Sequence, residues 1–142
     1  DWEMRGVPVR IEIGPKDVEQ DSVMLARRDI PGREGKTSAL LSDLPIVMRT
    51  LTEAVQANLL EKARKFRDEH IFNVPDYPSL RQAVEQGWAL AYWCGSAECE
   101  TKVKEETKAT TRCIPLEQNF APGKCIVCGK PAEKKVYFAK AY

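Results

Sequence analysis

Trp88-Ala89-Leu90-Ala91-Tyr92-Trp93-Cys94-Gly95 is the stretch on which the fold turns, because a compact apolar strand runs straight into a cysteine and a glycine. Immediately upstream, Pro78 to Gln86 predicts a short helix closed by Gly87, where a residue without Cβ can end a helix. Immediately downstream, Cys94 and Cys99 form a CxxxxC, and after 25 intervening residues Cys125 and Cys128 form a CxxC followed by Gly129. Two such knuckles can close on one ion. Tetrahedral zinc wants four soft, deprotonated donors, and Gly95 and Gly129 permit the tight turns that make each pair of sulfurs converge. The expectation is therefore a structural zinc site of Cys94, Cys99, Cys125 and Cys128. A thioredoxin-like redox pair and two disulfides are the competing readings. Nothing in the pattern leaves the open coordination position a catalytic zinc needs. Cys113 has no partner at ligand spacing and reads as a packed thiol; His70, the only histidine, reads as a surface or helix-capping residue.

Working outward to the first half, Val7, Val9, Ile11 and Ile13 alternate with polar residues and proline, which predicts a strand cut off at Gly14-Pro15. Ser22 to Arg28 reads as a second strand, residues 30–35 as a turn, and Lys36 to Ala39 as a returning strand. Ser42-Asp43 with Pro45 marks the start of a helix running to about Arg67. Its apolar residues Met48, Leu51, Val55, Leu59, Ala63 and Phe66 recur at helical spacing and predict one face packed on the sheet. The fold class is thus α/β (α+β), with a mixed sheet packed by helices and then a small α/β domain. The boundary is expected near Phe72 to Asp76, where Asn73-Val74-Pro75-Asp76 interrupts the chain, giving domains 1–72 and 73–142.

Composition limits the function classes. Lysine and arginine total 22 against 21 aspartates and glutamates, so no global positive field advertises nucleic acid, and any such contact rests on local charge. No apolar run approaches the roughly 20 residues of a membrane helix. The opening Asp1-Trp2-Glu3 resembles no targeting peptide. Five cysteines, four of them in close pairs, suit a metal site in a reducing compartment, so cytoplasm is expected.

Several segments in order carry a family resemblance. The run from Trp2 to Asp17 (WEMRGVPVRIEIGPKD), Trp93-Cys94-Gly95, Glu105-Glu106-Thr107, Thr110 to Pro115, and Phe138-Ala139-Lys140-Ala141-Tyr142 resemble the C-terminal part of prolyl-tRNA synthetase, a class II enzyme. The cysteine spacing is similar too. The resemblance implies an anticodon-binding domain, incomplete at its N-terminus, followed by the family's C-terminal zinc-binding domain. It implies that the catalytic domain, with its ATP, magnesium and proline sites, lies outside this chain, so that the fragment alone is inactive. The implied partners are the anticodon stem-loop of tRNA(Pro) and the parent's own catalytic domain, in an enzyme that is a homodimer.

In that family the first domain reads consecutive guanines, whose pairing edges present N–H donors and so ask for acceptors. Glu12 is the candidate acceptor, while Arg10, Lys16, Arg27, Arg28 and Lys36 are candidates for phosphates or guanine O6 and N7. The bland reading of Arg10 and Glu12 is a solvated strand face, and of Arg27-Arg28 a charged hairpin edge. The resemblance further implies that Tyr142 ends a tail that folds back on the catalytic domain. A free-standing zinc-ribbon module or a dithiol oxidoreductase would explain the cysteines but leave the other motifs unexplained.

Overall fold

The computed structural model describes residues 2–141, which divide between Lys65 and Phe66 into two compact units. In the first, strands β1 (Val9–Glu12), β2 (Ser22–Arg27) and β3 (Lys36–Leu40) form an antiparallel sheet in the order β1-β2-β3. Gly14-Pro15 stops β1 as expected, but the proline also opens a five-residue helix, α1 (Pro15–Glu19), in which Asp17 Oδ2 accepts from the Gly14 amide at 2.8 Å. Helix α2 (Leu44–Glu69) covers one face of the sheet. Val9, Val23, Leu25 and Ala39, alternate residues on their strands, pack with Val55 against Leu44, Val47, Met48, Leu51 and Leu59. Phe66, the last residue of the predicted stripe, is 64% exposed and stacks instead on His70. The outer edge of β1 pairs with no strand among the described residues, and Ile11 and Ile13 beside it are 46% and 64% exposed.

The second unit carries a four-stranded sheet in the order β4-β5-β9-β6. Strands β4 (Ile71–Asn73) and β5 (Trp88–Trp93) run parallel, joined by helix α3 (Tyr77–Gln86) as a crossover. Helix α4 (Ala97–Thr107) leads to β6 (Ala109–Cys113), and the last strand, β9 (Lys134–Lys140), enters between β5 and β6. The apolar face of α3 supplies Leu80, Ala83 and Val84, and α4 supplies Val103, to a core closed by Ala89, Ala91, Ala109, Val136 and Phe138. A two-stranded ribbon, β7 (Gly123–Lys124) and β8 (Pro131–Ala132), carries the second cysteine pair in its loop. Ile71–Asn73 pairs with Trp88–Leu90 and so lies inside the second compact unit.

Candidate metal centre

Each cysteine is placed by a separate local device. Cys94 follows the last residue of β5, and Gly95 turns the chain at φ +83°, a conformation that costs glycine little. Ser96 then caps α4, its hydroxyl accepting from the Glu98 amide at 3.2 Å, and Trp93 Nε1 donates to the Ser96 carbonyl at 3.2 Å. Cys99 therefore projects from the first turn of a helix rather than from a loop knuckle. In the ribbon, the Cys125 amide donates to the Lys130 carbonyl at 2.7 Å and the Gly129 amide to the Cys125 carbonyl at 2.9 Å, with Gly129 at φ +72°. The Ile126 amide donates to the Tyr92 carbonyl at 3.0 Å and so pins this loop to β5.

These devices bring the four sulfurs within 4.8 Å of one another. Cys94 Sγ lies 3.7 Å from both Cys99 Sγ and Cys128 Sγ. A disulfide needs about 2.05 Å, so none of these contacts is one. Metal–sulfur bonds of about 2.3 Å at tetrahedral angles put the sulfurs about 3.8 Å apart, and the observed spacing fits that shape. Cys99 and Cys125 are buried, packed with Ala132 against Tyr92, Trp93 and Val127, while Cys128 reaches the surface. Burial opposes ionisation of Cys125, but the backbone amides of Cys128 and Val127 donate toward its sulfur and bring its pKa down to about 7. Burial first, and then the neighbouring sulfurs, push Cys99 up to about 12. Filling such a site must displace protons, so its affinity rises with pH. The redox arrangement is not met, since Cys125 and Cys128 sit between β7 and β8 and not at a helix start.

Two lysines that charge balance alone would assign to the thiolates have other partners. Lys135 is buried, its Nζ donating to Asn73 Oδ1 at 2.7 Å and lying 4.8 Å and 4.6 Å from the ring centres of Tyr92 and Phe120. Lys102 faces Glu106 and the ring of Tyr77. Cys113 is exposed, not packed. Tyr142 lies outside the described residues.

The polar candidates of the first unit separate onto two faces. In the register Arg10–Ala26–Lys36 and the neighbouring Glu12–Met24–Ser38, alternate residues point away from α2. There Lys36 Nζ contacts Glu12 Oε2 at 2.5 Å and Arg10 contacts Glu12 at 3.5 Å. The bond from Lys36 holds the Glu12 carboxyl below its ordinary range, so it is an ionised acceptor at neutral pH. Arg28 follows on the same side of the chain, its Nε buried without a hydrogen bond. Lys16 is exposed on α1. Arg27 is turned the other way, donating through Nε and Nη2 to Asp29 at 3.0 Å and 2.6 Å. Asp29 also receives Asn58 Nδ2 at 2.6 Å, and Lys62 Nζ reaches its carbonyl at 2.7 Å, so this cluster ties the turn after β2 to α2. No sequence signal marked Asp29 as a tie to α2, because Asn58 and Lys62 lie 29 and 33 residues away.

Residues 77–142 match the family model described as prolyl-tRNA synthetase, C-terminal. The whole chain is 47% identical over 142 residues to the proline–tRNA ligase of Roseiflexus sp. (strain RS-1), covering 30% of that protein. It is 45% identical over 145 residues to the chloroplastic/mitochondrial proline–tRNA ligase of Arabidopsis thaliana, covering 27% of it. A crystal structure of prolyl-tRNA synthetase from Cryptosporidium parvum, complexed with halofuginone and AMPPNP, superposes with a TM-score of 0.89 at 33% identity, covering 99% of this chain and 30% of that one. The chain thus spans about 30% of the length of such relatives.

Proposed function

We propose that this chain is the C-terminal portion of a prolyl-tRNA synthetase, that its first unit recognises the anticodon of tRNA(Pro) and that its second is a scaffold organised by zinc. The match of the whole chain to proline–tRNA ligases supports this reading. The parent enzyme would join proline to that tRNA with ATP and magnesium in a portion this chain does not hold, so the chain alone should not aminoacylate. The free edge of β1, flanked by exposed Ile11 and Ile13, is where the rest of the anticodon-binding domain would add. A dimeric parent working in the cytoplasm accords with this reading. Among the described residues no helix is long and apolar enough to cross a membrane.

The observation that carries the anticodon role is the acidic centre flanked by cations on the sheet face that α2 leaves open. An ionised Glu12 can accept the N1–H and N2–H of an unstacked guanine, and Lys36 and Arg10, which already hold it, would turn to the base acceptors or to phosphate. Lys16 and Arg28 extend the positive rim, and Arg27 supports it from behind through Asp29. In an anticodon stem-loop binding assay, Glu12→Ala should abolish the preference for guanine over adenine while weakening overall affinity less. An unaltered preference would refute the assignment.

For the cysteines, zinc would supply four bonds in place of a larger apolar core, and the chain's own residues fix the site around it. Metal analysis with a free-thiol count should give one zinc per chain and one reactive thiol, Cys113. Less than about half an equivalent, with disulfides present, would overturn the zinc reading. Tyr142 is proposed to dock its carboxylate on the catalytic portion; deleting it from the full enzyme should impair proline activation. A free-standing zinc-ribbon module leaves the whole-chain match to the ligases unexplained.

A further inference from the structure

Strand alternation gives the second sheet two different faces. Ala89, Ala91, Val136 and Phe138 point into the core beneath α3 and α4. Trp88, Leu90, Tyr92, Lys135 and Tyr137 point the other way, as do Ile71 and Asn73 in the adjoining register. Half of that second face is roofed by the chain before β7. Gln118 bonds through its side chain to both backbone groups of Lys135 at 3.0 Å, Phe120 lies over the Lys135 ammonium, and Tyr92 Oη donates to the Ala121 carbonyl.

The other half stays open as a cleft of about 740 Å³, lined by Phe66, His70, Ile71, Trp88, Cys113 and Tyr137 among others. Its walls are aromatic. Trp88 meets Tyr137 edge to face with ring centres 5.8 Å apart, and Phe66 stacks on His70 at 4.2 Å. The His70 Nδ1–H donates to the Phe66 carbonyl at 2.7 Å, which leaves Nε2 as an acceptor when the ring is neutral. A bulge in β6 at Arg112 sets Cys113 opposite Tyr137, and the Arg112 Nε is anchored on the Ala139 carbonyl at 3.1 Å. Arg67 stands at the rim in an exposed pair with Asp68, a contact weak enough for a phosphate to replace.

We propose that this cleft stacks an unpaired nucleobase of single-stranded RNA, a second RNA contact distinct from the anticodon-reading face of the first unit. Four strands backed by two helices, with aromatic rings on two adjacent central strands facing outward, are the arrangement by which small RNA-binding sheets hold splayed bases. The Tyr137 hydroxyl, the Trp88 indole N–H and His70 Nε2 give the base edge polar partners, and Arg67 at the rim suits its phosphate. The choice of RNA rests on the ligase reading above.

The test uses the zinc-loaded chain with a labelled single-stranded oligoadenylate and an RNA duplex of equal length. Bound oligoadenylate should slow alkylation of Cys113, mapped by mass spectrometry, several-fold, and the duplex should not. Trp88→Leu and Tyr137→Leu keep apolar bulk but remove the stacking ring, and each should raise Kd about 5- to 150-fold at an unchanged zinc content. Unchanged Kd in both variants, or Cys113 alkylation indifferent to saturating oligoadenylate, would overturn the proposal. Protection of Cys113 that grows with protein concentration in the absence of RNA would overturn it in favour of a second copy of the chain. A chain that prefers guanine in the anticodon stem-loop yet ignores oligoadenylate refutes this site and leaves anticodon reading standing.

Discussion

Asp29 holds its charge with no exposed side-chain surface, which is tolerable only because Arg27 and Asn58 satisfy both carboxylate oxygens. The bond from Arg27, opposed by burial and aided by Asn58, lowers its pKa from 3.8 to about 2. A depressed acid contributes stability that is present above its unfolded value and is lost as pH falls through the folded one. That contribution should therefore vanish between about pH 4 and pH 2. Asp29→Ala strands Arg27 and should destabilise the first unit by about 3 kcal/mol in urea unfolding at pH 7. A loss below about 1 kcal/mol would show that water or Lys62 replaces the carboxylate. Gly123 is constrained by space, since a Cβ there would meet the Tyr92 ring at 2.4 Å. Gly123→Ala should lower the melting temperature of the second unit by displacing the ring that shields Lys135.

Among the elements, α4 depends on its first turn. Ser96 caps it and Glu98 and Glu100 lie at its positive end, so Ser96→Ala should cost about 1 kcal/mol and raise the zinc dissociation constant through Cys99. Unchanged zinc affinity in a competition titration would separate the cap from the site. This helix also shows why part of the fold stays hidden in the sequence. Its buried residues are Cys99, Val103 and Thr107, a stripe one residue wide, and one of the three looks like a metal ligand before it looks like core. By contrast α2, β2 and β5 carry unbroken periodicity or a compact apolar run, and their expected ends fall within about two residues of those observed. Strand β9 shows no period of two because Gln118 and the chain around it roof its outer face at Lys135, which is buried beside Val136. Strand β4 spans three residues, too few for any period to show. The cluster of four cysteines was legible because sulfur pairs at short spacing have few other uses. The aromatic cleft was not, because Phe66, Trp88, Cys113 and Tyr137 come from four separate elements or their ends.

At the scale of the molecule, the two units differ in what sustains them. The first rests on α2 against its sheet, whereas the second would draw part of its stability from metal, worth about 10–16 kcal/mol in small zinc modules. Adding a chelator should abolish amide-exchange protection in the ribbon and α4 and leave β2 and the middle of α2 protected. Uniform loss would mean that the units do not unfold separately. Strand β9 holds a further consequence. It is central, hydrogen-bonded to β5 on one side and β6 on the other, yet it follows both of them and all four cysteines in the chain. A ribosome making this chain therefore releases all four clustered cysteines before the strand that joins β5 to β6. Polypeptides halted before Lys134 should leave β6 unpaired and remain open to proteolysis, so the finished sheet acts as a certificate that translation ran through this region.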